Sequence, residues 1–214
     1  MNIRKIGHCC LVIKEKGRTI LTDPGAWTKE QDTLTGIDIV LITHEHADHF
    51  HVESVKQIVA NNPEAVIVTN SAVASLLEKE QITATVIEGG QTKTVKDIMI
   101  TGFGKDHAVI HPKVSIIMNT GYLIEQKVFL PGDAFTKPGV PVEILAMPMI
   151  GPWMKIAESI DWALAIKPKI CIPVHDGMLN PRQWIYGAPT KILGEAGIIF
   201  DPVEPGEEKE LLIN

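Results

Sequence analysis

Short runs of β-branched and aliphatic residues recur along the chain, divided by polar segments and by stretches with helical spacing. Leu11 to Ile13 and Thr19 to Leu21 flank the polar Lys14-Glu15-Lys16-Gly17-Arg18, the pattern of a hairpin. Asp23-Pro24-Gly25 then breaks the chain. Ile37 to Ile42 is short and nearly continuous, as in a strand covered on both faces. A helix is predicted over Val52 to Asn61, a strand over Ala65 to Thr69, and a helix over Ser71 to Glu80 with Ser71 as its cap. Thr83 to Ile87, Thr92 to Val95 and Ile98 to Thr101 read as short strands. Ser115 to Ile124 and Val128 to Leu130 read as a second hairpin around Glu125-Gln126-Lys127. Strands over Ile144 to Met147 and Ile170 to Val174 bracket a helical stretch from Trp153 to Ile166, stopped by Pro168. Glu210 to Ile213 reads as a returning edge strand. Phe135 to Pro141 and Asn180 to Pro189 are the loosest segments.

Strands alternating with helices, with no linker rich in Gly, Ser or Pro, predict an α/β protein with one domain over residues 1–214. That length buries roughly 70% of the surface of the unfolded chain, so no disulfide or metal is needed merely to fold. A net charge of -6 disfavours non-specific binding to nucleic acid or anionic membranes, which needs a surplus of Lys and Arg. Cys9, Cys10 and Cys171 form no CxxC pair and read as reduced core thiols. Leu11-Val12-Ile13 is too short for a secretory segment, and no run approaches a membrane span. A cytoplasmic protein is expected, with a small-molecule substrate and scope for a homo-oligomer.

The chemistry concentrates in Thr43-His44-Glu45-His46-Ala47-Asp48-His49-Phe50, which follows a predicted strand. His44 and His46, two apart, point the same way on an extended chain. Imidazoles with carboxylates and no thiolate suit zinc, iron or manganese.

His44-x-His46-x-Asp48-His49 resembles the HxHxDH motif of the metallo-β-lactamase superfamily. Asp23-Pro24, Leu130-Pro131-Gly132-Asp133 and Pro173-Val174-His175-Asp176 resemble further elements of that family, in order along the chain. Gly7-His8 and Pro205-Gly206-Glu207 resemble the branch that includes ascorbate-6-phosphate lactonase. The resemblance implies a four-layered αβ/βα sandwich with two divalent metal ions, zinc first and manganese or iron next. It implies that His44, His46 and a mid-chain His hold one metal, that Asp48, His49 and His175 hold the other, and that Asp133 bridges them. Lys105 to His111 offers two mid-chain histidines; His107 is preferred, and His111 is assigned to the pocket or the supporting shell. His8, Asp23 and Trp153 are further pocket or supporting residues, and His51 reads as a helix-start residue.

Two cations about 3.5–4 Å apart would make hydroxide available near neutral pH and polarise a carbonyl or phosphoryl oxygen. Asp48 would also carry the proton to the leaving group. The expected function is therefore hydrolysis of a small-molecule ester, lactone or phosphoester. The alternatives are a phosphodiesterase or nuclease, an iron-dependent thiol oxygenase, and a non-catalytic metal-binding protein. Di-iron electron-transfer relatives resemble HxExDH, whereas this chain has His46 in the second ligand place.

Overall fold

The computed structural model describes residues 1–211; Leu212 and Ile213 of the expected terminal strand lie outside them. The chain opens with three antiparallel strands, β1 (Asn2–Gly7), β2 (Cys10–Glu15) and β3 (Arg18–Thr22). The chain then crosses in parallel through β4 (Ile39–Leu41), α1 (Val52–Asn61), β5 (Val66–Thr69), α2 (Ser71–Lys79) and β6 (Ala84–Val86). The second sheet repeats the plan. β7 (Thr92–Val95), β8 (Ile98–Phe103), β9 (Gly121–Ile124) and β10 (Val128–Leu130) run antiparallel. Parallel strands β11 (Ile144–Pro148), β12 (Ile170–Val174) and β13 (Ile199–Phe200) follow, with α3 (Ile156–Ile166) and α4 (Gly187–Glu195) as crossovers. Finally β14 (Glu208–Glu210) returns to β1, at the edge of the first sheet.

The period-2 alternation of the strands builds the layers. Ile39 and Leu41 face the second sheet, where they meet a core that includes Ile100, Tyr122, Ile144 and Ile172. Val40 and Ile42 face the other way, with Val55 and Ile58 of α1 and Val73 and Leu77 of α2. Leu145, Met147 and Cys171 meet Ile160, Ala163 and Leu193 of α3 and α4 on the outer side of the second sheet. Each fully buried aliphatic side chain contributes about 1.5–3 kcal/mol relative to exposure. The result is the expected four-layered αβ/βα sandwich. Among the described residues, no helix is long and apolar enough to cross a membrane.

Several element expectations need correction. Asn70, not Ser71, caps α2: its side chain accepts from the Val73 N–H at 3.1 Å. The helix expected from Trp153 begins at Ile156, because Gly151-Pro152 keeps the approach irregular and the Trp153 ring turns inward. The Glu158 carboxylate accepts from the Lys155 N–H at 2.6 Å and closes that helix start. The strand expected from Ser115 begins only at Gly121. Met118 and Asn119 instead make single bridges to Asp106 and His44. The segment Asn180 to Pro189 is not loose throughout. It holds a one-turn helix and the start of α4, whose third residue is Pro189, a place where a missing N–H costs no helix bond.

Candidate metal centre

The expected residues converge where strands end. Thr43 to His49 follow β4, His107 follows β8, Asp133 follows β10 and His175 follows β12, while His8 occupies the turn between β1 and β2. Open α/β sheets bind ligands at this carboxyl edge of their parallel strands. The backbone there is under constraint. His8 (φ 48°), Asp23 (φ 38°) and His175 (φ 54°) all sit in the left-handed region, which costs non-glycine residues about 1–3 kcal/mol each.

Two glycines permit the close approaches. A Cβ on Gly25 would lie 1.9 Å from the Asp48 carbonyl oxygen, so the Asp23-Pro24-Gly25 turn rests directly on the Asp48 backbone. Gly132, at φ +63°, leaves room for Asn119, whose Oδ1 accepts from the Asp133 N–H at 3.0 Å and whose Nδ2 donates to the Pro131 carbonyl at 2.9 Å. Asn119 thereby sets the loop that presents Asp133.

The ligand-type atoms form two adjoining groups, each with all its atoms within 4.8 Å of one another: His44, His46, His107 and Asp133, then His8, Asp48, His49 and His175. Asp133 faces both. Its Oδ1 lies 3.2 Å from His49 Nε2, and its Oδ2 lies 3.1 Å from His175 Nε2 and 3.4 Å from His107 Nε2.

The outer nitrogens of these rings are occupied. His49 Nδ1 is 2.8 Å from Asp23 Oδ2, His107 Nδ1 is 2.6 Å from the Ala108 carbonyl, and His175 Nδ1 meets the Ile150 carbonyl. Each of those partners can only accept, so each Nδ1 carries a proton, and Nε2 is the nitrogen that offers its lone pair whenever the ring is neutral. His44 follows suit through Thr43. The Thr43 hydroxyl donates to Asp23, at 2.9 Å, and its oxygen accepts from His44 Nδ1 at 3.1 Å. The Nε2 atoms of His44, His49, His107 and His175, and Oδ1 of Asp133, are buried without a hydrogen bond. Buried polar atoms left this way are costly unless something binds them. Lone pairs converging from rings anchored on their far side are the donor set of a cation site, so the residues fit one or two divalent metals.

The charges are strongly coupled. Burial works against a charged Asp133, but the His49 ring and the close approach of His107 and His175 hold its carboxyl well below the usual carboxylate range. Burial likewise opposes the Asp48 charge, and His175, His8 and His49 outweigh it. Burial would lower the His175 ring, yet Asp133 and Asp48 raise it to about 10. His44 goes the other way: burial pushes it well down, and the neighbouring His49 adds to that. Cys9 lies in the core behind the cage. Burial would raise its thiol, and His49 and His8 bring it down to about 6.

A sequence profile described as a β-lactamase superfamily domain matches residues 2–175. The chain belongs to the metallo-β-lactamase superfamily. It is 32% identical over 199 residues to Protein Rv0786c of Mycobacterium tuberculosis, covering 90% of this chain and 92% of that one. A UPF0173 metal-dependent hydrolase of Pyrococcus furiosus is 25% identical over 224 residues, covering 96% and 97%. Among solved structures, the metallo hydrolase Igni18 of Ignicoccus hospitalis superposes with a TM-score of 0.78 at 19% identity, over 99% of both chains.

Within this superfamily chain, all seven residues expected as ligands fall in the two groups. Of the two mid-chain candidates, the structure brings His107 into the cage. His111 is exposed, and its Nδ1 accepts from the Lys113 N–H at 3.1 Å. Asp23 lies behind the cage, where it accepts from the Thr43 N–H at 2.8 Å and meets His49 Nδ1. His51 caps α1 by accepting from the Ser54 N–H. Trp153 is buried against the cage and donates from Nε1 to Asp133 Oδ2 at 2.8 Å. Sequence reasoning missed Asn119, Lys5 and Tyr186. Lys5 Nζ donates to Asp176 Oδ2 at 2.6 Å and the Tyr186 hydroxyl donates to the same oxygen at 2.7 Å, beside His175. Only the Gly-Asp element two residues beyond Leu130 hints at a partner such as Asn119; nothing local marks Lys5.

Proposed function

We propose that this protein is a metal-dependent hydrolase that cleaves a small-molecule ester, lactone or phosphoester with the help of two divalent cations, zinc or manganese. In this reading His44, His46 and His107 hold one cation, Asp48, His49 and His175 hold the other, and Asp133 stands between them. The observation that carries it is the set of buried Nε2 lone pairs on His44, His49, His107 and His175, aimed into one space around Asp133. When bound, the cations would make hydroxide available from water near neutral pH and polarise the scissile carbonyl or phosphoryl group.

The side chains supply the remaining steps. Asp48 is held ionised and is partly open to solvent, where it would take up the proton given off by the attacking water and pass it to the leaving group. Trp153 keeps Asp133 in one rotamer through its N–H. A shallow recess opens beside His46 and His107, walled by Ala108, Ile110, Val114 and Ile117. That recess, about 20 Å³ and also lined by Ser115, is the size of one water molecule, and the net charge of -6 disfavours a nucleic acid. A roomier groove along α2 and β6, lined by Ala74, Ser75, Glu78 and Ile82, holds no histidine and offers no comparable donor set. The name of the Pyrococcus relative, a metal-dependent hydrolase, supports the hydrolase part of the reading. A cytoplasmic location fits the three free, buried cysteines.

The test is metal content of protein purified without chelator, beside His46→Ala, followed by a panel of lactones and phosphoesters. About two equivalents of zinc or manganese, reduced in the variant, with turnover of a panel member, is the expected result. No metal after reconstitution overturns the reading. One equivalent of iron with oxygen-dependent thiol oxidation replaces it with the oxygenase.

A further inference from the structure

Distance alone admits His8 to the cage as a further ligand. Its Nε2 stands 3.1 Å from Asp48 Oδ2, within the second group of donor atoms. The opposite ring nitrogen argues otherwise. The Gly177 backbone N–H donates to His8 Nδ1 at 3.1 Å, so Nδ1 presents its lone pair and not a proton. A neutral ring then carries its proton on Nε2, aimed at Asp48. This is the reverse of His49, His107 and His175, whose Nδ1 atoms face acceptors. The other two rings whose Nδ1 accepts a backbone N–H, His51 and His111, both lie outside the cage.

The alternatives at His8 are costly. For Nε2 to bind a cation while Nδ1 still accepts from Gly177, the ring would have to lose both protons. For the ring to carry both, Nδ1–H would face the Gly177 N–H. Asp48 favours that second proton electrostatically, but it has no place while Gly177 donates there. The contact is also built in. A Cβ on residue 177 would lie 3.1 Å from His8 Nδ1, so glycine lets the amide approach. Trp27 and His175 flank the ring, at centroid distances of 4.4 and 4.3 Å, and hold its plane.

We propose that His8 is a positioning residue rather than a metal ligand: a fixed Nε2–H donor that orients Asp48. The proposal rests on the metal-centre reading for Asp48, but the ring's tautomer can be read without it. The decisive measurement is NMR of protein with ¹⁵N-labelled histidine, first metal-free and then titrated with ¹¹³Cd²⁺. The expected spectrum shows His8 protonated at Nε2 in both states and no cadmium coupling to His8. Coupling appears instead on the rings of His44, His46, His49, His107 and His175. Cadmium coupling at His8 Nε2, or a neutral His8 ring protonated at Nδ1, overturns the proposal. If cadmium, zinc and manganese all fail to bind, the hydrolase reading falls, while the tautomer of metal-free His8 still decides this one.

Variants give the second arm. Gln at position 8 keeps an N–H donor in place of Nε2 and removes the imidazole lone pair. His8→Gln is expected to hold two equivalents of zinc with near wild-type affinity, whereas His8→Ala weakens binding about 10–100-fold. Loss of one equivalent in both variants alike overturns the proposal. Should either variant fail to fold, the spectrum of the unaltered protein remains the arbiter.

Discussion

Each ring in the cage has two nitrogens, and the partner of one determines what the other can do. Asp23, Ala108 and Ile150 take the outer protons of His49, His107 and His175, which turns three ambiguous side chains into three lone-pair donors. Asp48 is proposed to move the proton instead. Replacing it with Asn is expected to lower kcat about 10²–10⁴-fold, read in steady-state assays on whichever substrate the panel yields. Trp153→Phe removes one N–H from Asp133 and keeps the bulk. Metal affinity should fall about 10–100-fold with the thermal transition little changed, as competition with a coloured chelator would report. The raised His175 ring has a sign that can be worked out for chelator-stripped protein. A ring moved from 6.5 to about 10 stabilises the fold fully below pH 6.5 and loses that contribution as pH rises through 10. Stripped protein should therefore melt at lower temperature at pH 10 than at pH 6.5. Metal-loaded protein needs the ring neutral, so it should lack that step, and metal uptake at pH 7 should release protons measurable by calorimetry in buffers of different ionisation enthalpy.

At the scale of elements, the strands and most helices were legible because their signals are local. Ile39 to Leu41 alternates between two buried faces, and α1 follows its own 3.6-residue period to the residue. The misses have physical causes. α4 was hidden by Gly187 and Pro189, residues that break helices in the interior but are tolerated in the first turn. Residues 115–120 look like a strand, yet their backbone is spent on tying loops together: Asn119 N–H donates to the Lys105 carbonyl and Thr120 N–H to the Thr43 carbonyl. The Asp23-Pro24-Gly25 turn shows how tightly these loops are stacked. Gly25→Ala would force the turn away from Asp48 and should destabilise the protein by about 1–3 kcal/mol, read from the urea midpoint, and reduce metal occupancy as well.

Across the whole molecule, the site is the seam between two similar halves. The first sheet contributes the HxHxDH segment and the second contributes His107, Asp133 and His175. One buried ion pair ties the halves at this edge. Lys5 of β1, with no exposed surface, donates to the Pro173 carbonyl at 2.8 Å and to Asp176, next to His175. Burial pulls the Lys5 ammonium down, and Asp176 offsets that in part. Lys5→Met takes away the nearest cation of the buried Asp176 and leaves it only the Tyr186 hydroxyl and Arg182, at 3.8 Å, so it should cost about 3 kcal/mol in chemical denaturation. It should also loosen the His175 loop.

The chain by itself determined the strand and helix periods, the HxHxDH segment, the later Gly-Asp and His elements, and with them the superfamily. All of these are carried by residues a few positions apart, where spacing alone decides which way a side chain points. The tertiary structure decided that His107 and not His111 stands in the cage, the support of Asp133 by Asn119 and Trp153, the Lys5–Asp176 clamp and the partners of the outer ring nitrogens. Those depend on which acceptor or donor a distant segment brings to a nitrogen. Gly177 reaches His8 across 169 positions of sequence, and no local pattern encodes such a meeting.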